Sequence, residues 1–191
     1  MSSPEIQKHV LLHVCCAPCI IYPLKKLKLL NYKVTGFFYN PNIQPEAEYA
    51  LRKKNIEKFS QCFNCDIIYA ANYTADDFFQ AIGNAISPPE RCQLCWELRL
   101  KQTAHYAKEN NFDLFTSTLL VSPYQDRILL KQAGEKTARE QGVEFLFYDF
   151  SEGYPESVTI SRELGMYRQK YCGCKYSLEE KTKEKKIKDK Q

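Results

Sequence analysis

Short apolar runs alternate along this chain with longer stretches of mixed polarity, and that alternation predicts a parallel α/β sheet. Lys8 to Val14 (KHVLLHV) reads as a buried strand, and Val34 to Tyr39 (VTGFFY), β-branched and aromatic, as a second. Asp66 to Ala70, Asp113 to Thr116 and Glu144 to Tyr148 supply three more. Between them lie helical stretches at Pro18 to Leu30, Glu46 to Phe59, Tyr124 to Gln141 and Ser157 to Tyr167. In the first of these, Ile21, Leu24, Leu27 and Leu29 give only an approximate apolar face. Asn40 to Pro45 is a loop, because each proline pushes its predecessor out of helical geometry. The best-signalled helix starts at Ser87-Pro88-Pro89-Glu90, which has the form of a capping box. Trp96, Leu100, Ala104 and Ala107 then share one face of it to about Lys108. The expected fold is a single-domain, Rossmann-like sheet of about five strands with interleaved helices.

Composition narrows the class. With 191 residues and 44% hydrophobic content the chain suits one domain. The longest apolar stretch, Val10 to Leu24, is broken by His13, Pro18 and Pro23 and is too short for a bilayer. Met1 to Lys8 is polar, unlike a secretion signal, so a reduced cytoplasmic protein with no membrane partner is expected. The formal charge is +4, of which the tail from Glu179 to Gln191, with six lysines and four acids, carries +2. That tail (179-191) is expected to stand apart from a catalytic domain at 1-178, as a solvated helix end or as a contact for phosphate backbone.

The cysteines carry the chemistry. All nine fall into Cys15-Cys16-x-x-Cys19, Cys62-x-x-Cys65, Cys92-x-x-Cys95 and Cys172-x-Cys174. Cys15 and Cys16 follow the first strand, at the carboxyl edge where open parallel sheets place their sites. Pro18 favours the turn that lets both reach one site, and such a turn aims N–H groups at anions. Cys92 and Cys95 share a face in the first turns of the capped helix, where the helix dipole lowers thiol pKa. Those four soft ligands suit zinc or an iron–sulfur cluster, and spacing does not separate the two. A disulfide between Cys172 and Cys174 closes a very small ring, which Gly173 permits, so a redox pair is preferred to two further metal ligands. Cys62 and Cys65 are read as packing residues, and His13 as a satisfied core histidine.

Other polar positions are ambiguous between turn chemistry and substrate contact. They are Asn40 and Asn42, Thr116 to Thr118, Ser122 to Asp126, and Arg162, Tyr167, Arg168, Gln169 and Tyr171 before the CGC turn. GxGxxG, Walker A, HExxH and GxSxG patterns are absent, and CCAPC stands where a glycine-rich phosphate loop would follow the first strand.

Five segments in order, HVCCAPC at 13–19, FYNPNIQPEAEY at 38–49 with Arg52, RCQLCWELRL at 91–100, FTSTLLVSPYQD at 115–126 and YRQKYCGCKYS at 167–177, resemble the QueH family of epoxyqueuosine reductases. The resemblance runs from His13 to Ser177 and implies a Rossmann-like (HUP-like) fold with helices on both faces. It implies reduction of epoxyqueuosine to queuosine at the tRNA wobble position, without cobalamin, as the last step of queuosine biosynthesis. It further implies a 4Fe-4S cluster on Cys15, Cys16, Cys92 and Cys95, one additional iron beside it, and a redox-active pair at Cys172 and Cys174. The partners expected are tRNA carrying epoxyqueuosine and an unidentified electron donor. Asp126 and Tyr124 are positional candidates for a proton donor. The rival readings are a zinc- or cluster-containing thiol–disulfide or electron-carrier protein with no tRNA substrate, and a sulfur-handling tRNA enzyme that uses ATP.

Overall fold

The computed structural model describes residues 7–63, 65–71 and 73–189. Five strands, β1 (His9–His13), β2 (Lys33–Phe38), β3 (Ile67–Tyr69), β4 (Leu114–Ser117) and β5 (Glu144–Phe145), form one sheet in the order β3-β2-β1-β4-β5. Every pairing is parallel, with His13 opposite Phe37 on one side and Ser117 on the other. The order steps outward from β1 in both directions, so the switch point lies between β1 and β4. Cys15 leaves the sheet there.

Helices cover both faces. Phe37 and Phe38, neighbours on β2, point to opposite sides. Phe37 stacks on Tyr106 of α4 (Glu90–Glu109), and Phe38 meets Tyr49 of α2 (Glu46–Phe63). With α4 pack α3 (Ala75–Ile82) and α5 (Arg127–Gln141); with α1 (Ala17–Leu29) pack α2 and α6 (Tyr154–Glu163). The centre is apolar: Val10, Leu11, Leu12, Leu100 and Phe115 are all buried. Each such side chain contributes roughly 1.5–3 kcal/mol relative to exposure.

Several boundaries differ from the pattern reading, each for a local reason. The helix at Ser87 starts three residues later. Its N-cap is Pro89 with no side-chain cap, and the Arg91 N–H bonds the Ser87 carbonyl rather than its hydroxyl. The helix expected from Tyr124 begins at Arg127, because the Asp126 carboxylate accepts from the Ile128 and Leu129 N–H groups. The helix expected over 157–167 starts at Tyr154, with Pro155 in its first turn, and stops at Glu163 before Gly165 at φ +60. Helix α3 was not anticipated, although Thr74 caps it on Asp76 and Phe78 and Ile82 form its buried edge. A last helix, α7 (Lys175–Lys188), runs without a break past residue 178.

Candidate active site

Cys15 and Cys16 reach one site because the chain turns between strand and helix. Cys16 is the N-cap of α1, in extended backbone, and Pro18 sits in the first turn. One helical turn on, Cys19 comes back to the same place, and the Sγ atoms of Cys15, Cys16 and Cys19 lie within 4.8 Å of one another. Among the described residues this is the only group of three or more potential ligands so close together. Hydrogen bonds from Cys16 and Cys19 hold the Cys15 thiol well below the ordinary range, with help from Thr118, against the effect of burial. Burial raises Cys16, and hydrogen bonding to Cys15 raises Cys19. One thiolate amid two thiols is what a compact thiol trio adopts without a cation; a metal would favour all three as thiolates.

Residues at the ends of β1, β2 and β4 fix this trio. The Thr118 hydroxyl accepts from the Cys15 N–H at 3.0 Å and donates to Cys15 Sγ at 3.2 Å. His13 is fully buried, with Nε2 3.2 Å from the Tyr39 carbonyl and Nδ1 2.9 Å from Ser117 Oγ. A carbonyl only accepts, so Nε2 carries the proton and Nδ1 receives the Ser117 O–H. Burial, and then Arg99, push the imidazole down to about 4, so it is neutral at physiological pH. The expectation of a satisfied core histidine is met. Asn40 Nδ2 donates to the Val14 carbonyl at 2.8 Å, while Asn40 Oδ1 and Asn42 Oδ1 are buried without a partner among the described residues. Gln169 Nε2 lies 2.9 Å from Cys16 Sγ and 3.9 Å from Cys19 Sγ, so it serves the thiols from inside the fold.

In the CGC turn the Cys172 and Cys174 Sγ atoms stand 3.9 Å apart, without a bond between them. Cys174 is buried and is the N-cap of α7, accepting from the Ser177 N–H at 3.4 Å. A hydrogen bond with Cys174 brings the Cys172 thiol down to about 5, and Ser177 assists; the same bond raises Cys174. Buried Arg52 clamps the turn, donating to the carbonyls of Tyr171 and Cys172, both at 3.1 Å, and to Glu48 Oε1 at 2.8 Å. The Tyr167 hydroxyl donates to the other Glu48 oxygen, and Tyr171 Oη to the Gln44 carbonyl. Gly173 is required sterically: its φ is +133, and a Cβ would stand 2.9 Å from Asn42 Nδ2 and 3.0 Å from Ile43 Cγ1.

Cys92 and Cys95 occupy the first turns of α4, with Cys95 in a buried cluster that also holds Phe78, Ile82 and Cys174. Their expected acidity is not observed. Burial raises Cys92 in spite of Arg91, and pushes Cys95 up to about 11. Desolvation outweighs the helix dipole until a cation arrives. Both feel the charge of Cys172 and of Arg99. Arg99, 4% exposed, donates to the Cys95 carbonyl and also acts on His13 and Cys172, so its cation faces several of the thiols. Sequence reading passed it over, although it stands seven residues after Cys92, on the same helical face. Asp126 is a helix cap, Gln125 receives the Trp96 indole N–H at 2.9 Å, and Tyr124 is exposed. Cys65 is buried as expected, whereas Cys62 is exposed rather than packed.

Fold and site together define a Rossmann-like α/β protein with a sulfur-rich centre at the carboxyl edge of its sheet. The chain belongs to the QueH family: the family model described as epoxyqueuosine reductase QueH matches residues 10–180. Relatives carrying that name include one from Dehalococcoides mccartyi, 35% identical over 88% of this chain and 91% of its own. Another, from Thermotoga maritima, is 35% identical over 90% of this chain and 91% of its own. The fold is shared with U34-tRNA thiolase NcsA from Methanococcus maripaludis, solved with its 4Fe-4S cluster (TM-score 0.58, 15% identity, 90% of this chain and 61% of that one). It is shared too with a protein described as a predicted subunit of tRNA methyltransferase from Methanocaldococcus jannaschii (TM-score 0.56, 13% identity, 82% and 75% coverage). No helix among the described residues is long and apolar enough to cross a membrane.

Proposed function

We propose that this chain reduces epoxyqueuosine to queuosine in the wobble position of tRNA, as its relatives' name describes, with residues 1-178 as the catalytic unit and the segment 179-191 as an appendage to it. The observation that carries the reading is the pairing of a thiol trio with a separate, clamped CGC dithiol at one sheet edge, within a chain of this family. Thiols this close suit an iron–sulfur cluster, whose irons are bound by thiolate. Cys15, Cys16, Cys92 and Cys95 are the proposed ligands. The position of Cys19 inside the trio makes it the competing one. When bound, the cluster would supply electrons one at a time.

The chain's own residues do the rest. Converting an epoxide to an alkene takes two electrons and two protons and releases the oxygen as water. Oxidation of Cys172 and Cys174 balances this: one S–S bond forms, two electrons leave the sulfurs, the Cys174 thiol proton goes to the departing oxygen, and the second proton, which the Cys172 thiolate has already given up, comes from water. Arg52 holds the turn so that Cys172 presents its thiolate, and Gln169 and Thr118 orient the trio. A separate reductant then restores the dithiol. The reading takes no cobalamin, and one additional iron beside the cluster remains part of it.

The test is anaerobic purification with iron and sulfide analysis, then turnover of tRNA carrying epoxyqueuosine. About four irons and four sulfides per chain are expected, lost in Cys92→Ser. Retention in Cys92→Ser with loss in Cys19→Ser would transfer the ligand role to Cys19. Zinc without sulfide, from iron-replete cells, would sink the cluster. Full multiple turnover by Cys172→Ser/Cys174→Ser without added cobalamin would end the dithiol role.

A further inference from the structure

The positive charge of this protein is concentrated beside its redox turn. Between Arg162 and Lys188 lie nine basic and four acidic side chains, a net +5 against +4 for the whole chain, so all other residues together carry −1. Most of these cations belong to α7, whose N-cap is Cys174 itself. Helix α7 buries no side chain. It is held only near its start: Lys175 lies over the Phe79 ring, Arg91 pairs with Glu180 at 2.8 and 3.1 Å, and Lys181 Nζ donates to the Lys170 carbonyl. Beyond that point Lys183, Lys185, Lys186 and Lys188 are exposed and make no ion pair among the described residues. Arg162, Arg168 and Lys170, ahead of the CGC turn, are exposed as well.

A helix that buries nothing gains little from packing. The like-charged pairs Lys181/Lys185, Lys183/Lys186 and Lys185/Lys188 stand three or four residues apart and repel, which offsets the support from the opposite-charge pairs Glu179/Lys183 and Glu184/Lys188. A polyanion laid along the helix reverses that repulsion. A lipid surface is the poorer match, because a membrane-bound helix needs a broad apolar face. Here only Leu178 and Ile187 are exposed large apolar residues.

We propose that α7, with Arg162, Arg168 and Lys170, is the docking surface for the phosphodiester backbone of the RNA substrate. The helix runs roughly 21 Å outward from the redox pair, so the nucleotide to be reduced meets the CGC turn while the adjoining stem lies along the lysines. This rests on the tRNA reading above.

The test uses the holoprotein and tRNA carrying epoxyqueuosine, with binding measured from about 50 to about 200 mM salt. In Lys183→Gln/Lys185→Gln/Lys186→Gln the slope of log K against log salt should fall by about 1 for each lysine. KM should rise roughly tenfold, with kcat and iron content retained; glutamine keeps helix propensity, and circular dichroism checks the fold. An unchanged slope and KM, with wild type fully active, overturns the docking surface and leaves the tRNA reading intact. A wild-type holoprotein that neither binds nor reduces this tRNA overturns both. Binding of the wild type, but not the variant, to anionic phospholipid vesicles, with the tRNA slope unaltered, assigns the helix to a membrane and also overturns it.

Discussion

Replacing Arg52 with leucine removes the cation that ties the CGC turn to α2. The Arg52 side chain is 2% exposed and its Glu48 partner 10%, so the pair is buried. The variant strands the Glu48 carboxylate in a site that keeps only the Tyr167 hydroxyl, and leaves the Tyr171 and Cys172 carbonyls without their donors. Removing one partner of a buried ion pair typically costs about 3–5 kcal/mol. The lost bonds to the two carbonyls are part of that cost rather than additional to it. At a urea m-value of roughly 2 kcal/mol/M the midpoint should drop by about 1.5–2.5 M. The assay is urea unfolding of the reduced, metal-free protein, followed by circular dichroism, with hydrogen exchange read at residues 171–174. Glu48→Gln placed on top should return part of the loss, since it removes the stranded charge and keeps an acceptor for Tyr167. Arg52→Lys should fall between, because an ammonium does not reproduce the guanidinium fork across Glu48 and two carbonyls. A loss under about 1 kcal/mol, the range of an exposed pair, with no recovery by Glu48→Gln, would refute the clamp.

Three further outcomes follow from the same geometry. In the metal-free reduced protein, Cys172 should alkylate with half-maximal rate near pH 5, where its thiol is poised; an ordinary cysteine needs about pH 8.5. The rate rises with pH because the thiolate is the nucleophile. Cys174→Ala should move that midpoint upward most and Ser177→Ala less, in the order of their hydrogen bonds to Cys172, and a midpoint unmoved by either would disprove the arrangement. Gly173→Ala should destabilise the turn by about 1–3 kcal/mol, because of its φ of +133 and the contact with Asn42; urea unfolding reads the loss, and a neutral result would mean the turn relaxes freely. Thr118→Val should raise the Cys15 thiol by removing a donated hydrogen bond, seen as slower alkylation at pH 7.

The strand-and-helix alternation was legible because a buried parallel strand has to be an apolar run: HVLLH and VTGFF admit no other economical burial. The cysteine groups were legible for a similar reason, since short spacing and a strand-to-helix turn are local facts. Helix ends were less so. Ser87 looked like a cap, but capping depends on backbone angles that two successive prolines alter, and Asp126 revealed itself as a cap only when its carboxylate was seen on two N–H groups.

By itself, then, the sequence determined an α/β chain with thiols at the carboxyl edge and a family that joins them to one reaction. Tertiary structure decided which groups those thiols meet. Cys19 joins Cys15 and Cys16, Gln169 reaches back from 150 residues away to Cys19 and 153 to Cys16, and Arg52 holds the turn at Cys172 from 120 residues away. Burial also reversed the expected acidity of Cys92 and Cys95. The physical reason is common to all of these. Periodicity encodes what a residue does to its neighbours in the chain, whereas desolvation and long-range hydrogen bonds depend on which distant surfaces the fold presses together.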